Sequence, residues 1–271
     1  MAFKLGWDDK NTKVAIGEIS LSCRIQGKTD APWVIFSNSL ATNQSLWRHQ
    51  VEMASDNFQV LTYDQRGHGQ SDAPQGPYSI DLLAEDLLNL MNALKIEKAA
   101  LVGISMGGMT AITVAKKSPD RVTKLVACDC GPAASQASAE QWRERISIVE
   151  QQGIEAIVDE TVGRWFAPKS LANNHPAVVE VAEMVRSTSP AGYIGSAQAL
   201  SNFDLRPGLS DLAMPTLFIS GKEDAIVGGV EKLHQSVQGS QFVTISDAGH
   251  LCNIENPDEF NTSLRAFLLQ D

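Results

Sequence analysis

Ala99-Ala100-Leu101-Val102-Gly103-Ile104-Ser105-Met106-Gly107-Gly108 is the stretch whose reading decides the fold. An apolar run suited to a buried strand stops at Gly103. Ser105 follows two residues later, then two glycines, then Met109-Thr110-Ala111-Ile112-Thr113-Val114-Ala115, a helical pattern. G-x-S-x-G between a strand and a helix predicts a nucleophile elbow, a turn so sharp that Ser105 takes a strained backbone angle. Gly103 and Gly107 are required because side chains there would clash where strand and helix nearly touch. The turn pushes the Ser105 hydroxyl out at the carboxyl end of the strand. It also sets the Met106 N–H at a helix N-terminus, where it can meet a developing negative charge. The competing reading is a serine that merely caps its helix; a base and an acid converging on it would decide between the two.

The surrounding composition is that of an ordinary globular chain. With 271 residues, 43% hydrophobic and 20% charged, it suits a single α/β sheet carrying an inserted element. A net charge of −10 argues against nucleic acid and against anionic membranes as partners. No apolar stretch reaches bilayer length, and Met1–Lys10 lacks the hydrophobic core of a signal peptide. Cys23, Cys128, Cys130 and Cys252 show neither C-x-x-C nor metal-site spacing. They read as reduced thiols in a cytoplasmic protein, with no metal.

Working outward from the elbow, residues 13–25 alternate in character around Gly17-Glu18 and predict an antiparallel hairpin at a sheet edge. Trp33–Ser37, Phe58–Tyr63 and Val122–Ala127 read as buried strands, with helices expected over 46–54, 79–94 and 106–118. The β–α alternation implies parallel strands with crossover helices on both faces. From Gly131 to about Pro207 it stops, and four helices are expected over 139–152, 154–166, 175–187 and 190–202. The expected architecture is a core domain of residues 1–130 and 208–271 with a helical cap, 131–207, inserted into it. Pro215–Ser220 resumes the sheet, followed by a helix over 229–237, a strand over 242–245 and a closing helix over 258–269.

A serine hydroxyl needs a base to take its proton and an acid to orient that base. In α/β-hydrolases the chain order is Ser, acid, His. His250 alone of the five histidines lies just past a late strand, in Ser246-Asp247-Ala248-Gly249-His250. His49, His175 and His234 sit on or beside helical stretches. His68 precedes Ser105, the wrong order, and its Gly-punctuated loop reads as structural, pinned by Asp64 and Arg66. Asp224, in Ser220-Gly221-Lys222-Glu223-Asp224, is the expected acid, with Glu223 and Asp129 as rivals. The oxyanion hole is expected from the N–H groups of Leu40, in Asn38-Ser39-Leu40, and Met106.

The whole chain resembles the α/β-hydrolase superfamily: α/β, a mostly parallel sheet with helices on both faces and an inserted helical cap. More narrowly it resembles 3-oxoadipate enol-lactonases. The resembling stretches include Phe36–Thr42, Tyr63–Gly69, Gly76–Ile80, Gly103–Met109, Arg164–Pro168, Ser189–Tyr193 and His250–Glu255. Cys128–Ser135, entering the cap, departs from that pattern.

The resemblance implies hydrolysis of a small lactone or carboxylic ester by Ser105, His250 and Asp224, with no cofactor. Trp142, Arg145, Arg164 and Trp165 are the cap residues expected to contact substrate. A cap arginine, Arg145 or Arg164, would offset the carboxylate of an enol-lactone. A carboxylesterase or lactonase for a neutral substrate is the alternative, and a non-catalytic receptor of the same fold is the alternative of another class. Homo-oligomerisation is left open.

Overall fold

The sheet is built around the elbow strand. In the computed structural model, which describes residues 11–270, strand β5 of our numbering (Ala99–Ile104) is buried at all six positions. The reading of Met1–Lys10 lies outside the described residues. In chain order the strands are β1 (Thr12–Ala15), β2 (Ser20–Gly27), β3 (Trp33–Ser37), β4 (Gln59–Tyr63), β5, β6 (Val122–Cys128), β7 (Thr216–Gly221) and β8 (Gln241–Ile245). They lie side by side as β1-β2-β4-β3-β5-β6-β7-β8. The β1–β2 and β2–β4 pairs are antiparallel and every later pair is parallel. The predicted edge hairpin is therefore present. A parallel sheet covered on both faces needs near-continuous apolar strands, which β3, β5 and β7 supply.

The helices are α1 (Arg48–Ala54), α2 (Ile80–Ala93), α3 (Met106–Lys117), α4 (Gln136–Gln152), α5 (Val158–Trp165), α6 (Pro168–Ala172), α7 (Pro176–Ser187), α8 (Pro190–Ser201), α9 (Val227–Ser236), α10 (Cys252–Glu255) and α11 (Pro257–Leu268). Local chemistry sets their starts. Ser79 accepts from Leu82 N–H at 3.1 Å ahead of α2, and Pro257 holds the first turn of α11, where no N–H is needed. The amphipathic face of α2 buries Leu83, Leu87, Leu90 and Met91. Each such side chain contributes about 1.5–3 kcal/mol when removed from water.

Three expectations shift. The stretch expected as helix 46–54 begins as a tight 3₁₀ turn, Gln44–Trp47, because Asn43 accepts from Ser45 N–H and starts the chain turning early. The expected 154–166 helix divides into a 3₁₀ turn, Ile154–Ile157, and α5. Helices α6 and α10 were not expected; at five and four residues they are too short to show an apolar period.

Helices α4–α8 all lie between β6 and β7. They meet the sheet closely: a Cβ on Gly192, in α8, would lie 1.9 Å from the Gly67 carbonyl oxygen after β4. That spacing admits only hydrogen on either chain. Gly249, past β8, is crowded too: a Cβ there would lie 2.6 Å from the Trp165 carbonyl oxygen.

Candidate active site

The elbow is as tight as its glycines require. Ser105 has φ +55° and ψ −119°, a strained conformation for a residue with a side chain. A Cβ on Gly107 would lie 2.0 Å from the Ser37 carbonyl oxygen, and one on Gly103 would lie 2.1 Å from that of Gly107. The turn is held by Ser105 N–H donating to Cys128 O at 2.8 Å and by Met109 N–H donating to Ser105 O at 3.0 Å. The side chain makes no capping bond to its helix, so the simple cap reading fails.

The Ser105 hydroxyl instead meets His250. Its Oγ lies 2.9 Å from His250 Nε2, and His250 Nδ1 lies 2.9 Å from Asp224 Oδ2. Residues 145 and 26 positions apart in sequence thus form one hydrogen-bonded line. Asp224 follows β7, in a turn where Asp224 N–H donates to Gly221 O at 3.1 Å. It is buried while its neighbour Glu223 is exposed, which separates the two rivals. Burial works to raise the Asp224 carboxyl, but the His250 ring and the hydrogen bonds it accepts outweigh that and hold it below the ordinary range. Asp129, the second rival, bonds Ser220 and Gly221 rather than His250: it accepts from Ser220 Oγ and Gly221 N–H.

His68, His175 and His234 make contacts within the scaffold. His68 is buried, its Nδ1 lies 2.9 Å from Arg66 O, and burial pushes it down to about 4. Its loop is pinned as expected. Asp64 accepts from Gln44 N–H and Gln70 N–H at 2.8 and 2.9 Å, and Arg66 donates twice to Asp86 at 2.7 Å. His175 caps α7, and His234 stacks on Phe242.

Glu255 is a residue that the sequence reading quoted without giving it a task. One carboxylate oxygen accepts from Gly249 N–H at 2.7 Å, the other from Ala167 N–H at 2.8 Å. It ties the loop bearing His250 to the helical insertion. His250 N–H donates to Trp165 O at 2.7 Å, and the two rings stack at 6.0 Å. The signal was the spacing of Glu255, five residues past His250, with α10 between to fold it back.

The loop after β3 is equally fixed. Asn38 Nδ2 donates to Thr42 O at 2.8 Å and Thr42 Oγ1 to Ser39 O at 2.9 Å. Leu40, on this loop, lines the same cavity as Ser105, and Met106 follows Ser105 as the first residue of α3.

A cavity of about 280 Å³ opens on Ser105 and His250. Leu40, Met109, Trp142, Trp165, Leu200 and Phe203 supply apolar wall; Arg145, Arg164 and Thr161 supply polar wall. All four cap residues expected to contact substrate therefore line it. The two arginines differ. Arg145 is buried, and its guanidinium donates to Tyr193 Oη at 3.0 Å, to Glu160 at 2.7 Å and to Thr161 Oγ1. It also lies over the Trp142 ring. The expected freedom of Arg145 to grip a carboxylate is thus reduced, because its donors hold helices together. Arg164 is half exposed, with one ion-pair contact to Glu160 at 3.5 Å. The four cysteines are all free and buried. The described residues contain no cluster of three or more His, Cys, Asp or Glu side chains suited to a metal ion, and no described helix is long and apolar enough to cross a membrane.

Residues 32–257 match the alpha/beta hydrolase fold family. The chain belongs to that family. Among members of this hydrolase family, it is 34% identical over 253 residues to a 3-oxoadipate enol-lactonase of Acinetobacter baylyi, covering 93% of this chain and 94% of the relative. It is 27% identical to a putative carbamate hydrolase of Agrobacterium fabrum, covering 90% and 97%. The solved enol-lactonase of Burkholderia xenovorans superposes with a TM-score of 0.91 at 34% identity, covering 96% of this chain and all of that one.

Proposed function

We propose that this chain is a serine hydrolase of small lactones or carboxylic esters, with 3-oxoadipate enol-lactone as the favoured substrate. The observation that carries the reading is the unbroken line Ser105–His250–Asp224 opening on a lined cavity. Ser105 Oγ attacks the acyl carbon as His250 Nε2 takes its proton. Asp224 holds the ring in the needed tautomer and stabilises the imidazolium. The Leu40 and Met106 N–H groups receive the oxyanion. Collapse breaks the bond to the ring oxygen, which takes the proton from His250; in an enol-lactone that oxygen leaves as an enol, which becomes a ketone. A water deprotonated by His250 then attacks the acyl-enzyme and frees Ser105.

On this reading the chain divides into a core, residues 1–130 and 208–271, and a cap, 131–207, that selects substrate. Arg164 is the cap residue placed to offset a substrate carboxylate, in a chain of net charge −10. The curated enol-lactonase relative supports the favoured substrate. The apolar wall of Trp142, Trp165, Leu200 and Phe203 favours a second reading, a lactonase or carboxylesterase for a neutral substrate. Four buried free thiols suit a reducing compartment such as the cytoplasm.

The test is turnover of a panel of enol-lactones, saturated lactones and simple esters, with Ser105→Ala as control. The favoured reading expects the carboxylate-bearing enol-lactone to lead in kcat/KM. Preference for uncharged members would select the neutral alternative. No turnover of any member, and no p-nitrophenol burst from p-nitrophenyl acetate, would leave a non-catalytic receptor.

A further inference from the structure

Behind the acid of the relay lies a second carboxyl group. Asp129 is the first residue past β6, its backbone left-handed at φ +44°, and its side chain is fully buried. Oδ1 accepts from Ser220 Oγ at 2.9 Å and from Gly221 N–H at 2.8 Å. Oδ2 accepts from the Cys252 thiol at 2.9 Å. Because Gly221 also accepts from Asp224 N–H at 3.1 Å, the Asp129 carboxyl is held on the turn that bears Asp224, and the two carboxyls interact; the two oxygens of Asp224 already accept from His250 Nδ1–H and Ile226 N–H.

Charge balance at this spot is strict. Among the described residues, the only cation-forming partner of the pair is His250, on Asp224; no lysine or arginine reaches either carboxyl. The thiols facing Asp129 are those of Cys128 and Cys130 at the end of β6 and Cys252 in α10. Burial, the leading cause, pushes all three up, so none ionises, and a neutral thiol offers no compensating charge. Two ionised carboxylates buried side by side, with the imidazole on Asp224 as the one facing cation former, would repel strongly.

We propose that Asp129 is a positioning residue that keeps its proton and donates it to Asp224, so that the buried acid pair carries a single negative charge. The proposal rests on the serine-hydrolase reading for its consequence, which is to aim Asp224 and temper its pull on His250. A neutral carboxyl meets every contact: its carbonyl oxygen takes two donors, and its hydroxyl donates to Asp224 while accepting the thiol. Burial, followed by the Asp224 charge, pushes Asp129 well above the ordinary carboxylate range. The hydrogen bond from Asp129 is among those that hold Asp224 below it. The one proton of the pair thus resides on Asp129 and the negative charge on Asp224.

The test begins with the infrared spectrum of the whole protein at pH 7.5, wild type minus Asp129→Asn. A neutral carboxylic acid carbonyl band present in the wild type and lost in the variant is expected. This readout needs no activity, so it separates failure here from failure of the hydrolase reading. The second readout is kcat/KM against pH on p-nitrophenyl acetate. The Asn amide still accepts from Ser220 and Gly221 and donates to Asp224, so the acid limb is expected to move by less than about 0.5 pH unit. Asp129→Leu removes the donor, and an unsupported Asp224 should hold the imidazolium more tightly and move that limb up by about one unit.

No neutral-acid band in the wild type overturns the proposal. So does an acid limb displaced down by about one unit or more in Asp129→Asn, the mark of a lost negative charge, or an unmoved limb in Asp129→Leu. If Asp129→Asn does not fold, Asp129→Ser replaces it in the difference spectrum, and the wild-type band still decides.

Discussion

The carboxyl edge of the sheet and the helical insertion between β6 and β7 place their functional groups by different means. At the edge the backbone does it: Ser105 stands where it does because Gly103 and Gly107 let strand and helix touch, and parallel register puts β5, β6 and β7 side by side. In the insertion side chains do it. Arg145 bridges Glu160, Thr161 and Tyr193, and Arg186 reaches from α7 to Glu155 at 2.9 Å. Backbone geometry of the first kind admits almost no substitution. Pairs of the second kind can be exchanged one at a time.

The sharpest way to break this contrast is at the edge. Ser105→Ala should lower kcat on the best lactone by about 10⁵-fold or more, with Tm little changed. Asp224→Asn should cost about 10⁴-fold by favouring the wrong imidazole tautomer. A steady-state assay beside a thermal melt checks both. A Ser105 variant that keeps its rate would remove the serine mechanism.

In the insertion the expected losses are smaller and differ in kind. Arg145→Leu strips a buried cation from three partners and should destabilise the protein by about 3 kcal/mol, read by urea unfolding. If it raises KM without a change in stability, the arginine is a ligand rather than a brace and the contrast fails. A gentler effect belongs to His68. Its folded-state value is lowered to about 4 by burial, so the unfolded chain takes up a proton first as pH falls. The stability it permits is full above about pH 6.5 and should decline by roughly 2 kcal/mol by pH 5. His68→Gln should flatten that slope in melts taken between pH 8 and 5. The smallest effect sharpens the contrast most: Arg164→Leu should raise KM for an anionic lactone about tenfold and for a neutral ester less than twofold. Equal changes on both would free Arg164 of any role toward a carboxylate.

Much of the edge was legible because its residues are called for by local rules. A glycine, a serine and a glycine in a strand-to-helix turn have few other uses, and His250 and Asp224 each follow a late strand. The choice of Asp224 over Glu223 and Asp129 was not local. It turned on which carboxyl is buried and which way it faces, and adjacent acids look alike in a sequence. Glu255 lay in a quoted stretch, yet its bonds to Gly249 and Ala167 join segments far apart in the chain. The short helices α6 and α10 were invisible because an apolar period needs more than one turn to show itself.

By itself the sequence determined the architecture and the place of the tight strand-to-helix turn at Ser105. Hydrophobic period and glycine spacing act over a few residues, and those distances are written along the chain. Tertiary structure alone decided which acid serves His250, which arginine is spent as a brace, and that a second carboxyl lies against the first. Each of these depends on burial and charge among groups that only folding brings together, and burial is a property of the packed molecule.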